Sequence, residues 1–361
     1  MTALRGAAVV PLQPLGRAAA AGQAFALAQV LRWTWRPSVD LLGVRTGQIR
    51  LLRAALEATA AFVPSRPDVA RRPAVIDPPD GAGPAAPLHA EWSLPGSAIR
   101  GGSETGPGAA AVLYLHGGGF VFGSARTHRV LTGALAAESG LPVLAPNYRL
   151  APEHPAPAAL EDCAAALRHL EDIGIPAHRV VLAGDSAGAH LAAALAARRS
   201  ELGLPAPAGV LLLSPWLDLS CVALREGDRR CRDPFVSPGT AERLALLYTG
   251  PRAAAARLLP TPEVPAGPTA PYLIQIGGRE AMAGDAARFA EELGHAKIDC
   301  RLEVWPGQIH VFQALHPWVP AARSALRNAG EFARACAGTR PTAAPLSAIG
   351  GGSAVVATEK G

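Results

Sequence analysis

Residues 184–188 read Gly184-Asp185-Ser186-Ala187-Gly188, a serine held between two glycines. The chemistry such a pentapeptide can do is acyl transfer, with the serine hydroxyl as nucleophile. A G-x-S-x-G string is weak evidence alone, because a strand-to-helix turn with Ser186 as a plain N-cap looks the same. Its context is more specific. The apolar run VVLAG precedes it and the Ala-rich run AGAHLAAALAARR follows. A sharp turn between a buried strand and a helix lifts the hydroxyl to a sheet edge and aims the helix N-terminus at the reacting group. Side chains two before and two after the serine would crowd so tight a turn, which explains glycine at both places.

A second constellation begins 70 residues before Ser186, where His116-Gly117-Gly118-Gly119-Phe120 follows directly on the apolar run VLYL. Three consecutive glycines free the backbone to point N–H groups at a ligand. Two N–H groups drawn from Gly117, Gly118 and Gly119, together with that of Ala187, make an expected oxyanion hole. His116 is expected to anchor this loop rather than to carry protons. Of the ten histidines, only His310 and His316 lie beyond the last expected strand.

These residues need a frame that brings distant segments to one edge. AAAVLYLH (109–116), PVLAPNY (142–148), RVVLAGDS (179–186), GVLLLSP (209–215), PYLIQIGG (271–278) and CRLEVWPG (300–307) are short, continuous apolar runs. Strands buried on both faces of a parallel sheet read this way. Helical patterns over 125–139, 158–173, 187–200 and 284–294 alternate with them, which predicts an α/β fold with helices on both faces of the sheet. Residues 1–20 are expected to be loosely ordered, 21–72 to form a helical segment, and 73–338 to form the α/β domain. Within that domain 218–268 breaks the rhythm and reads as an excursion off the sheet. Residues 339–361 have the composition of a disordered tail.

HGGGF, YRLAPEHP (148–155), GDSAG, LSPWLDL (213–219) and WPGQIHVFQ (305–313) occur in this order. Together they resemble the hormone-sensitive-lipase-like branch of the α/β-hydrolases, over about residues 109–335. The resemblance implies a mostly parallel eight-stranded sheet under a helical cap built partly from the N-terminal segment. It also implies a serine carboxylesterase for short- to medium-chain acyl esters, working without cofactor or metal. A lactonase or an N- or O-acetyl hydrolase with the same residues is the alternative. The general base then falls on His310. The acid falls on Glu280 in GGREAMAGDAARF, with Asp285 as the alternate and helix N-cap as its plainer role. Glu280 stands where Asp is commoner in the family. Tyr148, Arg149 and Glu153 are expected to brace the glycine loop. Phe120, Phe122 and Trp216 are candidate walls of an apolar pocket, with core packing the alternative.

Composition excludes other classes. The chain has 361 residues, 49% of them apolar and 17% charged, unlike a disordered polyelectrolyte. Its net charge of +5 is uneven: residues 1–72 hold ten Arg against three acids, so the remainder is slightly acidic. The arginines are spread out, which argues against nucleic acid as a partner. They are expected on solvated outer faces of the cap, with attraction to an anionic substrate or membrane surface as the alternative. The partner expected is a small-molecule ester; no integral membrane contact is expected, and a homodimer is left open. Five cysteines without paired or metal-ligand spacing point to a reducing, cytoplasmic compartment. Ala18–Leu31 is apolar after Arg5 and Arg17, like a secretory leader, but Gln23 and Gln29 interrupt it and an Ala-rich helix is the plainer reading.

Overall fold

The computed structural model describes residues 8–9, 36, 46–60, 66–77, 87–96, 109–250 and 269–338. The expected leader-like stretch, the last part of the excursion (251–268) and the tail lie outside them.

The strands are β1 (Ala8–Val9), β2 (Val69–Ile76), β3 (Leu88–Pro95), β4 (Ala111–Leu115), β5 (Val143–Pro146), β6 (Val180–Asp185), β7 (Gly209–Leu213), β8 (Tyr272–Gly277) and β9 (Cys300–Trp305). They form one sheet in the order β1-β9-β8-β7-β6-β4-β5-β3-β2. Only the β2–β3 and β3–β5 pairs are antiparallel. Eight strands, β2–β9, match the expected number. Ala8–Val9 adds a ninth, two residues long and parallel to β9, inside the segment expected to be loosely ordered.

Eight helices are described: α1 (Thr46–Ala60), α2 (Arg129–Ser139), α3 (Ala158–Asp172), α4 (Ala187–Ala197), α5 (Val222–Cys231), α6 (Pro238–Thr249), α7 (Ala283–His295) and α8 (Pro320–Cys336). The central strands explain their own sequences. Along β6, Val180 and Leu182 enter one core, with helices α3, α4 and α7, whereas Val181 and Ala183 enter the other, with α2 and α8. β7 divides in the same way, Val210 and Leu212 against Leu211 and Leu213. Because side chains alternate between two apolar layers, these strand positions are apolar on both faces up to the strand end, where Asp185 stands.

One expectation needs correction here. The helical segment does not extend to residue 72, because Val69 already pairs with Pro95 and β2 runs antiparallel to β3 up to Ile76 opposite Leu88. The excursion after 218 contributes two helices, α5 and α6, of which α6 packs over the glycine loop: a Cβ at Gly119 would lie 2.6 Å from Leu244 Cδ1. Among the described residues no helix is long and apolar enough to cross a membrane.

Among the described arginines of the N-terminal segment, Arg50 and Arg72 are exposed as expected, whereas Arg36, Arg53 and Arg71 are turned inward. Arg36 forms a two-pronged pair with Asp228, both contacts 2.8 Å, and also donates to the Asp233 carbonyl. Arg71 reaches from β2 to the Arg129 carbonyl at 2.7 Å. Arg53 on α1 donates to the carbonyls of Val121 (2.7 Å) and Ala151 (2.6 Å) while pairing with Glu153 through contacts of 3.0 and 2.9 Å. Apart from Ile49, α1 buries little: Leu51 is 73% exposed. A helix with so few apolar contacts opens locally at low cost unless it is tied down. Arg53→Met is therefore expected to speed limited proteolysis within 46–60 while shifting the global melting temperature only slightly. Equal loss of both would show that α1 belongs to the main cooperative unit.

Candidate active site

The turn from β6 to α4 puts Ser186 at φ 51° and ψ −117°, a conformation non-glycine residues rarely occupy. The surroundings enforce it. A Cβ at Gly188 would fall 2.0 Å from the Leu115 carbonyl oxygen, and one at Gly184 would fall 2.5 Å from the Gly188 carbonyl. The Ser186 N–H donates to the Leu213 carbonyl at 3.0 Å, which fixes the turn to β7.

His310 lies in the loop after β9, with Nε2 2.9 Å from Ser186 Oγ and Nδ1 2.8 Å from Glu280 Oε2. A carboxylate accepts only, so Nδ1 carries the proton and Nε2 is left to accept from the Ser186 hydroxyl. Glu280 follows β8. Its other oxygen accepts from Ser214 Oγ at 2.7 Å and from the Gly277 N–H at 2.5 Å. Ser214 Oγ in turn accepts from the Val311 N–H at 3.0 Å, tying the acid loop to the base loop. Glu280 and His310 are 3% and 6% exposed.

Burial acts to lower the His310 pKa, but the hydrogen bond and charge of Glu280, with the charges of Asp233 and Asp185, outweigh it and hold it above its ordinary value. Asp233, in the loop between α5 and α6, accepts from the N–H groups of Phe235, Val236 and Ala281, beside Glu280. Burial raises its carboxyl above the usual range.

Asp285 is not brought to His310. It sits in the first turn of α7, contacts Arg288, and is pushed up to about 6 by burial and by the Asp218 charge, with Arg288 opposing. Nor is it the N-cap, since α7 begins at Ala283 and is preceded by Met282.

The glycine loop leaves β4 beside this group. Gly118 and Gly119 have φ of 112° and 63°. Among the described residues, no acceptor takes the N–H of Gly118, Gly119 or Ala187. Gly117 is different. Its N–H donates to Asp185 Oδ1 at 3.1 Å, which removes it from the expected oxyanion donors. Tyr148 braces the loop as expected, donating to the His116 carbonyl at 2.6 Å while its ring stacks on His116 at 4.1 Å. Arg149 instead holds Asp162 on α3, and Glu153 holds Arg53.

The three aromatic pocket candidates sit differently from one another. Phe120 and Trp216 are 0% and 2% exposed and pack together, with Phe120 also stacked on Tyr248 at 3.9 Å. That is core packing beneath the loop, not an open wall. Phe122 is half-buried where the loop ends. Sequence reasoning misses Phe235, whose ring lies 5.8 Å from that of His310. It also misses Ser214, Asp233 and Asp185, although Asp185 sits inside the quoted pentapeptide. Among the described residues, no group of three His, Cys, Asp or Glu side chains is arranged to hold a metal ion.

Comparison with known proteins agrees with this geometry. A family model described as alpha/beta hydrolase fold matches residues 112–314. An acetyl-hydrolase of Streptomyces hygroscopicus is 39% identical over 233 residues, 63% of this chain and 76% of the relative. The carboxylesterase/phospholipase LipF of Mycobacterium tuberculosis is 36% identical over 62% of this chain and 61% of its own length. Among solved structures, an esterase of the bacterial hormone-sensitive lipase family superposes with a TM-score of 0.73 at 30% identity, covering 90% of this chain and all of that one. The chain belongs to the alpha/beta hydrolase family, in its hormone-sensitive-lipase-like branch, and is an ester-hydrolysing enzyme.

Proposed function

We propose that the protein is a serine carboxylesterase for short- to medium-chain acyl esters, acting through an acyl-enzyme on Ser186. The observation that carries the residue roles is the continuous chain Ser186 Oγ–His310 Nε2 and His310 Nδ1–Glu280 Oε2, at 2.9 and 2.8 Å. His310 accepts the hydroxyl proton as Ser186 attacks the carbonyl carbon. Glu280 holds the imidazole in the tautomer that can accept, and stabilises the imidazolium that forms. The N–H groups of Gly118, Gly119 and Ala187 receive the tetrahedral oxyanion. His310 then protonates the leaving alcohol and activates the water that releases the acid.

The acetyl-hydrolase relative supports a small acyl group. A lactone or an N-acetyl group would meet the same attack, so a panel of p-nitrophenyl esters, lactones and N-acetyl compounds assigns the substrate class. A reducing, cytoplasmic setting is supported by the five cysteines, whose spacing fits neither a disulfide framework nor a metal site.

Ser186→Ala is expected to lower kcat by about 10⁴–10⁶-fold on the preferred member of that panel and to abolish labelling by a fluorophosphonate. Near-native turnover in a purified Ser186→Ala preparation would remove Ser186 from the mechanism. The pH profile tests the other two residues. Only neutral His310 accepts a proton, and its pKa is raised, so kcat/KM falls with acid at a midpoint above the ordinary imidazole value of about 6.5. Glu280→Gln removes the largest contribution raising that pKa and presents an N–H to Nδ1. The acid midpoint should move down and kcat should fall by about 10⁴-fold. An unmoved midpoint would assign it to another group.

A further inference from the structure

Asp185, buried, and His128, half-buried, are ionisable groups beside the glycine loop that the steps above leave unused. Asp185 immediately precedes the nucleophile, and its carboxylate turns back beneath the loop. Oδ1 accepts from the Tyr114 hydroxyl at 2.7 Å and from the Gly117 N–H at 3.1 Å. Oδ2 faces His128 Nε2 across 3.6 Å. It also fills the space against Gly117, where a Cβ would lie 2.1 Å from it.

The partners of the His128 ring set its protonation. Nδ1 lies 3.1 Å from the Ser124 carbonyl oxygen, which can only accept, and 2.9 Å from Thr127 Oγ1, whose own hydroxyl donates to that carbonyl at 3.0 Å. Nε2 faces a carboxylate. Both nitrogens therefore confront acceptors, which is the environment of an imidazolium. The neighbouring His116 is the opposite case. Its Nδ1 meets the Gly117 carbonyl at 2.9 Å, its Nε2 is buried without a partner, and burial holds its pKa down at about 3. Resting on the serine-esterase reading above, we propose that His128, protonated on both ring nitrogens, pairs with Asp185 to position the oxyanion-hole loop and to cancel a buried negative charge beside the oxyanion.

The need for cancellation is electrostatic. Ester hydrolysis develops negative charge at the N–H groups of Gly118, Gly119 and Ala187, and a fixed carboxylate one residue from Ser186 opposes it. The Asp185 charge is already felt at His310. Paired with His128 it becomes a dipole, and its remaining work is to hold Gly117 so that the next two N–H groups point outward. The groups facing His128 are Asp185 at the end of β6, His116 at the end of β4, and Glu57 on α1, itself 4.0 Å from Arg126. Tyr114 reaches the pair through Asp185, and Tyr148 through its stack on His116. Burial acts to lower the His128 pKa, but Asp185 and Glu57 outweigh it and raise it. A raised histidine holds its proton to higher pH than a free imidazole does and loses it as pH rises through the folded value. Turnover should therefore fall on the alkaline side as well as on the acid side set by His310.

The test is kcat and KM for p-nitrophenyl acetate across pH, with the uncatalysed rate subtracted, beside the Ki of phenylboronic acid, which forms a tetrahedral adduct on the serine. Native enzyme should give a bell-shaped kcat profile. His128→Gln should lose the alkaline limb and lower kcat by about 10–100-fold at neutral pH, less than the ~10²–10³ expected for outright loss of a donor. KM should change little, and the boronate Ki should weaken in step with kcat. Asp185→Asn, which keeps an acceptor for Tyr114 and Gly117, should also lose the limb but retain more activity than Asp185→Ala. If His128→Gln does not fold, the Asp185→Asn profile decides. A native profile without an alkaline limb, a limb that survives either substitution, or native turnover and Ki in His128→Gln overturns the proposal. Fluorophosphonate labelling separates the two readings: labelled Ser186 with an unchanged profile overturns the ion pair alone, whereas an unlabelled native enzyme overturns the esterase reading too.

Discussion

The approach of two backbones at Gly188 sets the geometry of everything around it. The first turn of α4 lies so close to the end of β4 that a Cβ would overlap the carbonyls of Leu115, at 2.0 Å, and His116, at 2.5 Å. No side chain can relieve that contact, because its partner is main chain. It joins the two strand ends that carry the chemistry, β6 with the serine and β4 with the glycine loop. Asp185 then bridges the same gap with its carboxylate. The oxyanion donors are thus referenced to the nucleophile through backbone and one buried side chain, not through flexible loops. The base and acid are referenced to it more loosely, through Ser214 on the adjoining strand end and the loops that follow β8 and β9.

Much of this is legible in the amino-acid sequence. The parallel strands announce themselves because both faces are buried, so they appear as unbroken apolar runs. β2 does not, because it lies at an edge: VARRPAVI is buried only at its ends, Val69 and Ile76, and carries two arginines, which blends into the Arg-rich segment before it. The order of HGGG, GDSAG and the late His310 carries the site. Three adjacent glycines, however, do not say which N–H faces outward, and only the Asp185 hydrogen bond takes Gly117 out of the set. The choice between Glu280 and Asp285 turned on where α7 begins, a boundary that composition defines poorly. Asp185 is part of the GDSAG motif, but its residue type does not say what it binds; its work is defined by Tyr114, Gly117 and His128, which come from other segments.

The basic N-terminal segment shows how a charge count can mislead. Its surplus suggested solvated faces, yet Arg36, Arg53 and Arg71 spend their donors on carbonyls and carboxylates of the α/β body. A guanidinium offers five donors in a planar fork and can satisfy a loop carbonyl and a carboxylate together. Arg53 does both, and the carbonyls it takes, of Val121 and Ala151, belong to the loop that carries the oxyanion donors and to its support. The cap segment and the site are therefore joined largely by polar contacts, to which Ile49 adds a contact with the apolar core that holds Phe120 and Val121.

The sheet order has a consequence for synthesis. On the ribosome the chain emerges from its N-terminus, yet β1 finds its neighbour only when Cys300–Trp305 has been made. Arg36 waits 192 residues for Asp228, and Arg53 waits 100 for Glu153. Ala8–Val9 and Arg36 are thus among the last parts to be anchored, and the central strands assemble without them. His310 also arrives near the end. A nascent chain can build the serine turn and the glycine loop from residues 111–213 while still lacking the base, so no chain that stops short of His310 can turn over an ester by this route.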